Sequence, residues 1–247
     1  MTTSHDASPR PRAWADLPAR SRLLHLPTLK HWILVPVLMS VVVLALGFAA
    51  TTSAYTNAEF NVDAWMSLHH VSWMNTVALA LEQILGPKGA IVILVVVLAV
   101  LWFVRRTPVD AIAVVGITGF GWVYSLIFKY AVHRQRPDQG LLAHPISDAM
   151  DPNSFPSGHV CFAVSLTIAL YFLLRHTRWG VWVLAIGFAA SVFVAWTRVY
   201  VGMHYPMDVL VSFPASIAGI FLFAGLWNRL VPPVLARLPF VTRPESR

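Results

Sequence analysis

Trp179–Thr197, WGVWVLAIGFAASVFVAWT, contains no ionisable side chain and runs directly into Arg198. At about 1.5 Å of rise per residue, a helix of this length reaches across the roughly 30 Å hydrocarbon layer of a bilayer. The same reading applies on either side of it. Trp32–Ala58, Gly89–Val104, Ala111–Phe128, Val160–Leu174 and Val209–Trp227 are also uncharged. Across the 247 residues, 57% are hydrophobic and 12% charged, which excludes an ordinary soluble domain. The expected fold is all-α: a polytopic membrane protein with six transmembrane helices in one domain.

The net charge of +7, from 18 Lys plus Arg against 11 Asp plus Glu, is a topology signal and not a nucleic-acid surface. With the amino terminus cytoplasmic, the short inner turns carry Arg105-Arg106 and Arg175 with Arg178, and both basic ends fall inside. Only Lys88, Lys129, Arg134, Arg136 and Arg198 fall outside. The expected organisation is a mobile cytoplasmic segment over residues 1–30, a six-span domain over 31–229 and a cytoplasmic tail over 230–247. No small-residue cleavage site marks the first span, so it is read as retained. Cys161 is the single cysteine and lies within a span, where packing is its expected role and an intramolecular disulfide is excluded.

Residues 52–87, between the first two spans, read as an interfacial helical segment. Trp65, Leu68, Val71, Val77, Leu81 and Leu85 recur at mixed three- and four-residue steps. That pattern predicts one or two amphipathic helices at the outer interface, acting as a lipid-facing lid. Asp63, His69, His70 and Glu82 are metal-ligating types. Adjacent His69 and His70 point to different sides of a helix, however, and no metal site is assigned.

Three polar clusters stand at span ends. Lys129 and Arg136 leave the outer end of the third span in KYAVHRQRP, where Pro137 stops the helix. Two cations on the side that the topology rule depletes point to an anion site. Pro156-Ser157-Gly158-His159 opens the fourth span. Gly158 lets the backbone approach a ligand, the first helical turn offers N–H groups, and Ser157 adds a hydroxyl. His159 is placed to pass a proton to a leaving oxygen.

The third cluster is TRVYVGMHYPMD, Thr197 to Asp208. Asp208 follows His204 by one helical turn, which predicts a carboxylate bonded to one imidazole nitrogen, fixing the tautomer and leaving the other as a nucleophile. Arg198 adds a planar cation suited to phosphate oxygens. Taken alone, a His-x-x-x-Asp pair is more often structural. Counting spans, though, puts all three clusters on the same outer face.

In order and spacing, Lys129-x6-Arg136-Pro137, Pro156-Ser157-Gly158-His159 and Thr197-Arg198-x5-His204-x3-Asp208 resemble the three-part signature of the type 2 phosphatidic acid phosphatases, the lipid phosphate phosphatase superfamily. The resemblance covers roughly the third span to the chain end. It departs at Thr197, where the family usually carries serine; threonine keeps the hydroxyl. The resemblance implies that His204 forms a phosphohistidine, that Asp208 orients it, and that His159 protonates the leaving group and then activates water. It implies that Lys129, Arg136, Ser157, Gly158 and Arg198 hold the phosphate oxygens, with no metal or other cofactor.

The substrate class so implied is a lipid monophosphate or polyprenyl diphosphate, such as phosphatidic acid, phosphatidylglycerol phosphate or undecaprenyl diphosphate. The implied location is the outer face of a bacterial plasma membrane, with membrane lipids as partners and no nucleic acid. Two alternatives stand beside hydrolysis: phosphoryl transfer to a sugar or lipid acceptor, and anion or lipid transport without chemistry. The spans lack the paired Gly/Pro-broken helices expected of a transporter.

Overall fold

A computed structural model of the chain describes residues 21–147 and 152–237. Among these residues there is no strand. The helices are α1 Leu34–Ala50, α2 Ser53–Leu68, α3 Ser72–Leu85, α4 Pro87–Ala99, α5 Pro108–Val132, α6 Gly158–Leu174, α7 Gly180–Tyr200 and α8 Pro206–Arg237. A π-turn, Val100–Val104, extends α4. Proline opens α4, α5 and α8, where its missing N–H costs no intrahelical bond.

Among the described residues, four helices are long and apolar enough to cross a membrane: Pro87–Val104, Pro108–Val132, Gly180–Tyr200 and Pro206–Val234. The first expected span corresponds to α1, which meets α2 at a bend of 84°. The fourth corresponds to α6, an apolar helix of 17 residues. It lies at the centre of the bundle, against α5, α7 and α8, while α1 packs on α8. Gly121 allows that closeness, because a Cβ there would overlap Ser165 and Ile220. The outer surface is apolar. Val181 and Phe103, at 75% and 74% exposure, suit lipid rather than water.

Two expectations of segment character need correction. Residues 21–30, read as the end of a mobile segment, are docked. Ser21 Oγ and Leu23 N–H both donate to Asp110 Oδ1, at 2.7 and 2.9 Å. Leu26 exchanges two bonds with the Asn228 amide, and Leu23 is fully buried. The cause is that the side chains of Asp110, near the start of α5, and Asn228, in the later part of α8, need partners away from water, and this strap supplies them. The expected tail from residue 230 begins instead as helix, since α8 continues through Pro232 and Pro233 to Arg237. Residues 1–20, Asp148, Asp151 and the tail beyond Arg237 lie outside the described residues.

In α2 the amphipathicity runs the other way from a soluble helix. Trp65 and Leu68 face outward, while Glu59, Asp63 and Ser67, spaced four apart, are buried. The helix turns a polar stripe toward the protein because polar partners wait there, and leaves its apolar side exposed.

Candidate active site

Two tight segments bring the clusters together. α5 ends on His133 in the left-handed conformation, φ 51°, and the chain then runs antiparallel to residues 152–154. Ser154 N–H donates to the Arg134 carbonyl at 2.8 Å, and Arg136 N–H to that of Pro152 at 3.2 Å. This pairing sets the first cluster beside the second, which opens α6. α7 delivers Arg198, and Gly202, at φ 69°, turns the chain toward His204 and the start of α8.

His204 sits in this turn, buried, with both ring nitrogens engaged. Nδ1 lies 2.7 Å from the Ser154 carbonyl oxygen. A carbonyl only accepts, so Nδ1 carries the proton and Nε2 holds the lone pair. Arg136 Nη1 donates toward that lone pair at 3.2 Å, and to the Met203 carbonyl at 2.7 Å. Burial, followed by the charges of Arg136 and Lys129 and the groups at His159 and Arg198, holds the His204 pKa well below the usual histidine value. The ring is therefore neutral and nucleophilic in form.

The expected Asp208–His204 hydrogen bond is not made. Asp208 Oδ2 stands 3.8 Å from Nδ1, beyond hydrogen-bond range. His204 belongs to a turn and not to α8, so the one-turn spacing does not align the two side chains. Asp208 instead caps α8, with Oδ2 accepting from Tyr205 N–H at 3.0 Å. Its other oxygen accepts from Arg134 Nη1 at 2.6 Å. Arg134 Nη2 reaches Glu59 of α2, also at 2.6 Å, and Glu59 Oε1 accepts the Met207 N–H at the same distance. Arg134 also stacks over the Tyr205 ring, 4.1 Å from its centroid. Asp63 lies within electrostatic reach of this network, fully buried, its carboxyl oxygens without a hydrogen-bond partner among the described residues.

Of the remaining expected residues, Lys129, His159 and Arg198 lie within electrostatic reach of the imidazole. Lys129 Nζ donates to the Asn153 carbonyl at 2.7 Å. Ser157 is fully buried, and its Oγ has no hydrogen-bond partner among the described residues, while its N–H is held by Ser212 Oγ at 2.9 Å. A Cβ on Gly158 would meet only Trp122 Nε1, at 3.5 Å, so the protein's own packing does not demand glycine there. Arg198 is buried. Its Nη1 donates to Glu82 Oε2 at 3.0 Å and its Nη2 to the Ala78 carbonyl at 2.6 Å. His159 Nε2 donates to the Glu82 carbonyl at 3.0 Å. Thr197 turns its hydroxyl to the Val194 carbonyl and accepts from Arg198 Nε, so the serine-to-threonine departure falls behind the arginine.

Sequence reasoning missed Ser154, Arg134, Glu59 and the link through Glu82. The polar positions Glu59, Asp63 and Ser67, four apart, were the readable signal for α2. The Ser154 carbonyl had none, because it acts through backbone fifty positions from His204.

The profile of the PAP2 superfamily matches residues 107–232. Over 200 residues, the chain is 28% identical to phosphatidylglycerophosphatase B of Bacillus subtilis, covering 79% of this chain and 96% of the relative. It is 26% identical to the undecaprenyl-diphosphatase BcrC of the same organism, covering 70% and 86%. The crystal structure of a transmembrane PAP2 type phosphatidylglycerolphosphate phosphatase from Bacillus subtilis superposes with a TM-score of 0.66 at 26% identity, covering 79% and 96%.

Proposed function

This chain belongs to the PAP2 superfamily, and on that premise we propose that it removes phosphate from a lipid phosphate or polyprenyl diphosphate through a phosphohistidine on His204. The observation that carries the reading is the state of that imidazole. Nδ1–H is committed to the Ser154 carbonyl, and the Nε2 lone pair faces the Arg136 guanidinium. When a phosphate enters, Arg136 exchanges the lone pair for a phosphate oxygen and exposes Nε2 to phosphorus.

Nε2 attacks phosphorus as the bond to the leaving oxygen breaks, and His159, protonated beside the bound phosphate, gives that oxygen its extra proton and is left as the neutral ring. Water then attacks the phosphohistidine, His159 takes the water proton, and the P–N bond breaks to release inorganic phosphate. Lys129, Arg136 and Arg198, with the Ser157 hydroxyl and the Gly158 N–H, hold the non-reacting oxygens. Asp208 acts at 3.8 Å, as a fixed negative charge that favours the cationic ring of the intermediate. Because Gly158 meets so little of the protein, the first turn of α6 keeps an open backbone for the phosphate.

In this reading α1 and α6 also cross the bilayer, which gives six spans with both termini cytoplasmic. The site then opens at the outer face, where a lipid presents its head without leaving the membrane. The named activities of the relatives support the substrate class. The test is release of inorganic phosphate from phosphatidylglycerol phosphate and from undecaprenyl diphosphate by the purified protein in detergent. Turnover that persists in chelator is expected; strict dependence on an added divalent metal contradicts the mechanism.

A further inference from the structure

Glu82 lies on α3, outside residues 107–232 that match the family profile. It touches two of the groups assigned to the phosphate. Its Oε2 accepts from Arg198 Nη1 at 3.0 Å, and its backbone carbonyl accepts from His159 Nε2 at 3.0 Å. Its second carboxylate oxygen accepts from Ser147 Oγ at 2.7 Å. A carboxylate on Arg198 beside the histidine is the arrangement that a phosphate oxygen would adopt. Arg198 has its other terminal nitrogen on the Ala78 carbonyl of the same helix and is almost wholly buried. It cannot swing away to meet a substrate, so the partner that moves is Glu82, whose side chain keeps 20% exposure.

We propose that Glu82 is a resident anion: its carboxylate occupies the phosphate's place on Arg198, and entry of the substrate displaces it. This rests on the phosphatase reading for the identity of the ligand, but the anion exchange itself does not require turnover. Glu82 thereby sets affinity, holding the site against weakly charged anions and yielding to a phosphate of higher charge.

The experiment titrates inorganic phosphate into the full chain in detergent by calorimetry, for the wild type, Glu82→Gln and Ser147→Ala. Glu82→Gln keeps the shape and removes the competing charge, so its phosphate Kd should fall on the order of tenfold. Ser147→Ala removes one tether of the carboxylate and should lower Kd by a smaller factor; it carries the test if Glu82→Gln does not fold. Equal or weaker binding in both variants overturns the proposal, as that is what a carboxylate merely holding Arg198 in place would give. Undetectable phosphate binding in all three proteins overturns it as well. Lipid phosphate turnover, measured alongside, separates the two readings: tighter phosphate without hydrolysis by the wild type leaves Glu82 as gate of an anion site and removes the phosphatase. Hydrolysis with no tightening does the reverse.

Discussion

Two arginine–carboxylate pairs tie the α2 and α3 helices to the bundle, and they are built for different ends. Arg134 is clamped between Asp208 and Glu59, both at 2.6 Å, with side-chain exposures of 2%, 0% and 10%. Arg198 meets Glu82 through one contact of 3.0 Å, with exposures of 1% and 20%. The first pair is closed at both acidic ends, and its Asp208 stands 3.8 Å from His204. The second is open at its acidic end and lies beside His159. A buried pair that loses one member leaves a charge without compensation, whereas a partly exposed carboxylate can be rehydrated. The closed pair is therefore a support and the open one an exchangeable contact.

Four substitutions separate these roles, in descending order of effect. Arg134→Met strands Asp208 and Glu59 in the interior and should cost about 3–5 kcal/mol of stability, as breaking buried pairs does. Thermal unfolding in detergent reads this; an unchanged Tm would make the closed pair dispensable. Arg198→Gln should instead lower kcat/KM by on the order of 100-fold, the usual loss for one oxyanion contact, with a smaller change in Tm than Arg134→Met. A larger fall in Tm than in activity would place Arg198 among the supports.

Arg136→Gln addresses the imidazole between the two pairs. The His204 pKa is depressed, first by burial and next by the charge of Arg136. The neutral ring is the nucleophile, so the acid limb of kcat/KM should lie below the usual histidine pKa, activity being lost as pH falls through the depressed value. Removing the Arg136 charge should shift that limb upward. The linked stability has the matching sign: it is complete above the unfolded-state histidine pKa and declines as pH falls. A limb that stays in place would detach Arg136 from His204. The smallest effect is the tightening of phosphate by Glu82→Gln, which distinguishes an exchangeable carboxylate from a structural one.

The fold was largely legible because lipid-facing helices announce themselves by long uncharged runs, and each of the six runs became an apolar helix. The clusters at the helix ends were legible as well, since ionisable groups are costly beside a membrane and stand out. What escaped was support supplied from elsewhere. The spacing of His204 and Asp208 implied a helical pair, but Pro206 starts the helix after the histidine, and the tautomer is set by a distant carbonyl. Arg134 looked like one more outer cation. Its meaning depends on Glu59 of α2, and the sequence shows the polar stripe of that helix without showing which way it faces. Glu82 was visible only as an acid in a lid, because its contact with Arg198 spans 116 positions.

The central claim is that the Nε2 of His204 takes the phosphoryl group. It is tested most directly by mixing the protein with a lipid substrate labelled in its phosphate, quenching in base within a turnover, and mapping the label by peptide digestion. Label on His204 that survives alkali and is lost in acid is the expected result, and it should disappear in His204→Ala. Turnover with no protein-bound phosphate at any quench time, or label on another residue, would contradict the account.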